Sequence, residues 1–415
     1  MGAGFAGIGA AERLLEAGCE VEVLEARDRI GGRVETTSLD GYPADLGASW
    51  LRPHDNELYP FAESRGLLSH RTDLNDVVAI SGGTAHRIDV DAAQGALSQA
   101  VVLPYLGFQL RAALGGDPRS ESIESLLGSR FDEMGVEGCA LRQLLKSASA
   151  TDLDSLSANM LLASTDYSDA EFSGEPTIIG GMPALLDALV VRSRPSLGEV
   201  VEVISRERDG VRVKTDRREL EADAAIVTAS IGVLKRGKIV FEPGLSSLQQ
   251  SALDHFDMGQ FRKLWIRYPA DSWSRRAHVS LDCDSRRIDC VFDFQQSHGV
   301  PIFMGGAAGR NAEAFEGLAE ADSMRLFHEE LQRILEKKLP PPTAFAMSRW
   351  ETDPWAEGVY GYPNPGNRLQ DAARLREPVA GRILLAGEAL AEKNSGYVDG
   401  AWSDGRRAAG RLLSS

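Results

Sequence analysis

Cysteine is scarce in this chain, with four in 415 residues: Cys19, Cys139, Cys283 and Cys290. None form a CxxC pair and four are too few for a disulfide framework, so metal-ligand spacing is absent and a reducing compartment is expected. Cys283 and Cys290 stand near enough to face each other across a hairpin, but buried free thiols are the expectation. Long apolar runs are also lacking. None approaches the roughly 18 residues that span a bilayer, and the chain stops at Ser415 without a hydrophobic tail, so no membrane insertion is expected. Positive charge is in short supply: Lys and Arg number 45 against 61 Asp and Glu, a net charge of −16. A field of that sign repels phosphate backbones, and nucleic acid is not an expected partner. The amino terminus has neither the basic nor the apolar region of a signal peptide, and Ala6 stands where a myristoylation signal requires Ser or Thr. The cytoplasm is therefore the expected location. There is no Ser/His/Asp signature and no internal repeat. What remains is an ordinary globular composition, 43% hydrophobic and 26% charged, long enough for two or three domains at roughly 150 residues each.

The densest information lies in the first forty residues. Gly2, Gly4 and Gly7 make a G-x-G-x-x-G, and Ala6 to Ala17 reads as a helix with Ile8, Ala11, Leu14 and Leu15 on one face, closed by Gly18. A short strand, Val21 to Leu24, then ends in Glu25. In this arrangement the glycines let backbone and a helix amino terminus approach a pyrophosphate, and the acid accepts hydrogen bonds from ribose hydroxyls. The motif ordinarily follows a buried apolar strand, whereas Met1 alone precedes Gly2. A start further upstream is expected, since losing that strand would bare the edges of its neighbours.

The continuation Ala26-Arg27-Asp28-Arg29-Ile30-Gly31-Gly32-Arg33, followed by Asp45-Leu46-Gly47-Ala48-Ser49-Trp50, resembles the amino terminus of the flavin amine oxidase superfamily, which includes monoamine oxidases, polyamine oxidases, histone demethylases and L-amino-acid oxidases. The Gly-Gly-Arg extension is specific to FAD rather than NAD. By this resemblance Gly2, Gly4, Phe5, Ala6 and Gly7 approach the FAD pyrophosphate. Glu25, with Ala26 and Arg27, holds the adenosine ribose, while Gly31, Gly32 and Arg33 reach the pyrophosphate and flavin side. Gly47, Ala48, Ser49 and Trp50 lie beside the flavin, and Val200 or Val201 meets the adenine through its backbone.

The likeness continues to the end of the chain. Ile178 to Met182 is similar to the return from the substrate domain into the FAD domain, and Val200 to Thr215 alternates around Asp209-Gly210 as a hairpin. Ala222 to Ser230 reads as a buried strand running into Ile231-Gly232-Val233-Leu234-Lys235, with Ser230 where the polyamine-oxidase-like segment has proline. Phe261 to Tyr268 alternates as a strand. Its Lys263 matches the lysine that holds a water against flavin N5; by themselves, Arg262 and Lys263 read equally as solvated charges on an edge strand. Arg349 to Tyr362, with Trp355, resembles the segment under the flavin. Arg382 to Glu388 resembles the strand and turn whose Gly387 and Glu388 meet the ribityl chain. Gly396, Tyr397, Val398 and Ala401 lead into a last helix, Trp402 to Leu413, whose amino end points at the flavin pyrimidine and favours negative charge there. Val359 stands where monoamine oxidases tether flavin through cysteine, so FAD is expected to be non-covalent. Tyr360 and Tyr397 fall on the two tyrosines that frame the substrate's path.

Helical patterns at Leu97 to Leu114, Ile123 to Met134, Leu141 to Ala150 and Met324 to Leu335 imply the helical part of a substrate domain. His54 reads as a loop histidine that lines either the pocket or the surface. The expected fold is α/β: a Rossmann-like FAD-binding domain of residues 1–70, 180–255 and 375–415, interleaved with a mixed-sheet-plus-helices substrate domain of 71–179 and 256–374. The implied activity is FAD-dependent oxidation of an amine, with hydride passing from the carbon beside nitrogen to flavin N5, hydrolysis of the imine, and reoxidation by O2 to hydrogen peroxide. Lys263, Tyr360 and Tyr397 carry the catalytic roles; a small-molecule amine and O2 are the partners, with a homodimer one open assembly. Three alternatives stay open. They are an L-amino-acid oxidase using Arg52 for the carboxylate, a desaturase of an apolar substrate, and an inactive truncated flavoprotein.

Overall fold

The computed structural model describes residues 1–53, 56–71, 76–96, 121–160, 175–272, 278–284 and 287–414. Its largest sheet has seven strands, in the order Ala344–Met347, Phe261–Arg267, Ile302–Ala308, Cys290–Asp293, Val279–Asp282, Val77–Ser81 and Thr84–Ile88. Neighbours are antiparallel except Val279–Asp282 beside Val77–Ser81, which is parallel. The strand Phe261–Arg267 is internal, paired along both edges. Its period-two alternation sorts the side chains. Leu264 and Ile266 join Phe303 under Phe327 and Leu331 of helix Glu320–Ile334, where each fully buried side chain stabilises by about 1.5–3 kcal/mol. Lys263 and Trp265 take the opposite face, and both bond to the stretch Asp45–Ser49. On that face helix Gly135–Ser149 packs Ala140 and Leu144 against Val77, Val279 and Cys290.

A second layer brings together the two ends of the chain. The first helix, Phe5–Glu16, crosses the last, Val398–Leu413, and short parallel strands lie beside them. Leu24–Glu25 pairs with Ser196–Leu197, and Ala225–Val227 pairs with Ile383–Leu385. Met1 and Gly2 lie between these pairs: Gly2 N donates to Leu24 O at 2.7 Å, Met1 N to Ile226 O at 2.7 Å, and Thr228 N to Met1 O at 2.9 Å. The glycine-rich turn thus sits in the middle of a parallel arrangement, where a dinucleotide-binding motif belongs. A four-stranded sheet, ordered Glu219–Ala222, Val211–Thr215, Val201–Arg206 and Val240–Glu242, is antiparallel except for its last pair, which is parallel, and contains the hairpin expected at Asp209-Gly210. Val21 to Val23 are not in the strand expected there, and the last helix begins at Val398 rather than Trp402. The expected helix 97–114 and His54 lie outside the described residues. Among the described residues no helix is long and apolar enough to cross a membrane.

The cysteine expectation needs correction. Cys283 is joined not to Cys290 but to Cys139, on helix Gly135–Ser149, by a disulfide that pins this helix to the large sheet. Cys290 is a buried thiol, and Cys19 is also free. Spacing could not show the bond, because its partners are 144 residues apart and meet only through helix-on-sheet packing. The premise of a reducing compartment falls with it. Under denaturing, non-reducing conditions a thiol titration should count two cysteines, rising to four after reduction. Reduction should lower unfolding stability by about 2–4 kcal/mol in a denaturant titration. Four titratable thiols without reductant would show the bond absent.

Candidate active site

The first turn of helix Phe5–Glu16 has no side-chain cap on Gly4, which leaves its backbone N–H groups directed at whatever lies before them. The turn is held by Glu25, buried at the end of its strand: Oε2 accepts from Ala3 N at 2.7 Å and Oε1 from Arg27 N at 2.9 Å. A carboxylate offers about four lone-pair sites, so capacity remains for hydroxyl donors. Glycine is required at position 7, where a Cβ would lie 1.8 Å from Gly2 O. Gly31 N donates to Ala3 O at 2.9 Å and brings Gly31-Gly32-Arg33 against the turn.

Glu388 is the hub of the site. Its Oε1 accepts from Arg33 Nη1 at 2.7 Å and from Gly361 N at 3.1 Å, and its carbonyl accepts from Gly396 N at 3.4 Å. Arg33 Nη1 also donates to Val359 O at 2.8 Å. Tyr360 and Tyr397 are each one residue from a backbone amide that Glu388 holds. Glu388 Oε2 is buried with no hydrogen-bond partner among the described residues. A buried carboxylate oxygen left orphaned points to a donor that the protein itself does not supply.

Lys263 is buried in the middle of the large sheet. Its Nζ donates to Gly47 O at 2.6 Å and to Ser49 Oγ, and lies 4.9 Å from the ring centre of Trp50. Burial lowers its pKa to about 8, against the opposing attraction of Asp45 and Cys290. The same burial raises the Asp45 carboxyl. Arg262 is also buried, paired to Glu351 and to Phe315 O at 3.0 Å. Neither cation is a solvated edge charge. The backbone closes the loop, since Gly259 N donates to Tyr360 O at 2.8 Å just before the Lys263 strand.

Profile comparison settles the family: the flavin-containing amine oxidoreductase profile matches residues 5–413. The chain belongs to that family. Polyamine oxidase 2 of Arabidopsis thaliana is 30% identical over 428 residues, covering 99% of this chain and 86% of that protein. Among solved structures, wild-type putrescine oxidase bound to putrescine superposes with a TM-score of 0.82 at 22% identity, covering 100% of this chain and 98% of the other. Cyclohexylamine oxidase from Brevibacterium oxydans does so with a TM-score of 0.82 at 23% identity, covering 100% and 97%. The α/β fold expected from the sequence is the fold of these flavin amine oxidases.

The residues fit a flavin dinucleotide. An uncapped helix amino terminus suits an anion, Glu25 has spare acceptor capacity, and the Glu388 orphan oxygen awaits a donor. Most of the remaining cofactor candidates adjoin these groups. Phe5 and Ala6 open the first helix, and Ala26 lies between Glu25 and Arg27. Arg27 Nη2 and Trp355 N both donate to Asp353 Oδ1, at 2.6 and 2.8 Å. Ala48 stands between Gly47 and Ser49, Gly387 precedes Glu388, and Val398 and Ala401 lie in the first turns of the last helix. Val200 is less available, because its N and O are both bonded to Asp216; Val201 is buried at the start of its strand. A separate cavity of about 270 Å³, lined in part by Tyr42, Trp265, Phe294 and His298, has none of Lys263, Tyr360, Tyr397 or Glu388 in its wall.

Sequence reasoning missed three neighbours of the tyrosines. Ser147 accepts the Tyr360 hydroxyl through its carbonyl at 2.8 Å, and Glu175 and Asp399 sit beside Tyr397. Only Asp399 carried a signal, as an acid in the first turn of a helix. Gly7→Ala should purify with flavin content lowered about tenfold or more, read as the ratio of flavin to protein absorbance. Wild-type flavin content in that variant would remove the glycine turn from the cofactor site.

Proposed function

We propose that this chain oxidises the carbon beside nitrogen in an amine, with Lys263, Tyr360 and Tyr397 carrying the chemistry and FAD held non-covalently. The observation that carries the reading is the convergence on one buried residue, Glu388, of the Arg33 motif and the Tyr360 segment at its carboxylate and the Tyr397 segment at its carbonyl. When bound, FAD supplies the hydride acceptor and then passes the electrons to O2, giving hydrogen peroxide. Glu25, Arg33, Glu388 and the amino ends of the first and last helices hold it. Tyr360, its hydroxyl fixed by Ser147 O, and Tyr397, with the Arg52 guanidinium 5.1 Å from its ring centre, present rigid faces that orient an amine. Lys263 holds a proton at Nζ below about pH 8, and that cation favours negative charge developing beside it. The FAD-binding unit is the discontinuous one of residues 1–70, 180–255 and 375–415, and the segments 71–179 and 256–374 make the substrate unit. Arg52 is already set against Glu175, with Nε 3.8 Å from Oε1, which favours an amine over an amino-acid carboxylate.

The direct test is the visible spectrum of the purified protein under anaerobic conditions as amines, polyamines and amino acids are added in turn. Bleaching of the oxidised flavin band by amines is expected; a retained flavin that no amine bleaches would overturn the reading. Lys263→Met should keep FAD while slowing flavin reduction or reoxidation by about tenfold or more. In the wild type the affected step should slow as pH rises through about 8, where Nζ loses its proton, and the variant should lack that limb. Unchanged rates of both steps would remove Lys263 from the chemistry.

A further inference from the structure

Helix Gly135–Ser149 is tied to the large sheet along one face. Cys139, Gln143 and Lys146 follow one another at helical spacing on that face. Cys139 is bonded to Cys283, Gln143 Nε2 donates to Asp282 O at 2.8 Å, and Lys146 Nζ lies 3.1 Å from both Asp289 Oδ1 and Asp152 Oδ1. The sheet end of the disulfide is itself fixed, because Cys283 N donates to Ile80 O on the neighbouring strand at 2.9 Å. The other end of the helix bears on the chemistry. Ser147 O accepts the Tyr360 hydroxyl, and Ser147 Oγ lies 3.6 Å from the Sγ of Cys290, which shares Gly306 with Lys263 as a pairing partner. Ala150 O accepts from Gln260 N at 2.8 Å, just before the strand that carries Lys263.

We propose that Cys139 and Cys283 are positioning residues for Tyr360, and that the peroxide released by the oxidation closes their bond and so holds the site in its productive geometry. The inference rests on the amine-oxidising role above. Cys139 precedes Ser147 by about 12 Å of helix at 1.5 Å per residue, and a helix of that length moves as one body. With the bond open, Gln143 and Lys146 still hold the helix, but its amino-terminal half is free to rock and the Ser147 carbonyl turns with it. A drifting carbonyl lets the Tyr360 ring drift, which costs rate without costing cofactor, since Glu25, Arg33 and Glu388 stand elsewhere. The oxidant is the product. One thiolate attacks hydrogen peroxide, the O–O bond breaks, and a sulfenic acid and hydroxide form, the hydroxide taking up the proton the thiol released. The second thiol then displaces water from that sulfur as the S–S bond forms. Two thiols give up two electrons and one peroxide becomes two waters. Cys139 and Cys283 are half-buried, whereas burial pushes the Cys290 thiol up to about 12, so the reactive thiolate is offered by the pair and not by Cys290.

The test compares the wild type before and after reduction, with the reductant removed and the thiols counted, in anaerobic flavin bleaching by whichever amine of the spectral panel bleaches it fastest. Opening the bond should slow bleaching about threefold or more at unchanged flavin content and unchanged far-ultraviolet circular dichroism, and hydrogen peroxide should restore both the bond and the rate. In air the reduced protein should speed up as it turns over, and catalase should abolish that acceleration. Cys139→Ser should stay at the reduced rate whatever reductant or peroxide is added; if it fails to fold, the wild-type comparison decides the matter alone. Tyr360→Phe should bleach at one rate whether the bond is open or closed. Equal wild-type rates with two and with four thiols counted, failure of peroxide to rejoin the pair, or a redox sensitivity that survives in Tyr360→Phe would each overturn this inference alone. A flavin that no amine bleaches in either state overturns the amine-oxidase reading as well.

Discussion

The site depends on one carboxylate withdrawn from water and the groups that meet it. Glu388 is 7% exposed, and a carboxylate in that position is costly unless a cation and hydrogen-bond donors meet it. Arg33, 355 residues away in sequence, supplies the cation, and Gly361 supplies a backbone donor. Each donor fixes its own surroundings. Arg33 carries the Gly31-Gly32 turn against the first helix, and Gly361 fixes the segment that bears Tyr360. The carbonyl of Glu388 receives Gly396, next to Tyr397. Removing this side chain would release two distant stretches of chain together, the Arg33 motif and the Tyr360 segment, so the geometry of the site is cooperative.

The same scarcity of water acts on the charges around it. Lys263, Asp45, Glu175 and Asp399 are all displaced toward their neutral forms, and in each the largest cause is burial. Where solvent is excluded, a unit charge acts more strongly on its neighbours than it does at a surface. One lysine or one glutamate can therefore bias a reaction or a binding choice that a surface residue would leave untouched.

Much of this was legible in the sequence because it is local. The glycine turn, the helix after it, Glu25 and the Asp209-Gly210 hairpin follow from spacing alone. Lys263 was legible as a strand residue, and the resemblance gave it a role, but its burial was not. An Arg-Lys pair in an alternating strand reads equally as an exposed edge, and only the pairing of Phe261–Arg267 on both sides removes that alternative. The Cys139–Cys283 bond and the meeting of Arg52, Glu175 and Asp399 were not legible, because each joins residues from separate elements whose approach is decided by packing. Where Val21 to Leu24 promised a strand, the pairing is confined to Leu24–Glu25 against Ser196–Leu197, with Val23 O accepting from Ser196 N at 2.8 Å.

The crossing of the first and last helices carries a consequence for synthesis. A Cβ on Gly405 would lie 1.9 Å from Ala6 O, so the two backbones touch and neither helix finds its packing without the other. A ribosome delivers Phe5–Glu16 long before Val398–Leu413. Until the later helix emerges the glycine-rich turn therefore waits beside an unfilled face, and Glu388 arrives only shortly before that helix. Until that helix emerges the nascent polypeptide has no complete nucleotide pocket to offer, so cofactor capture waits for it.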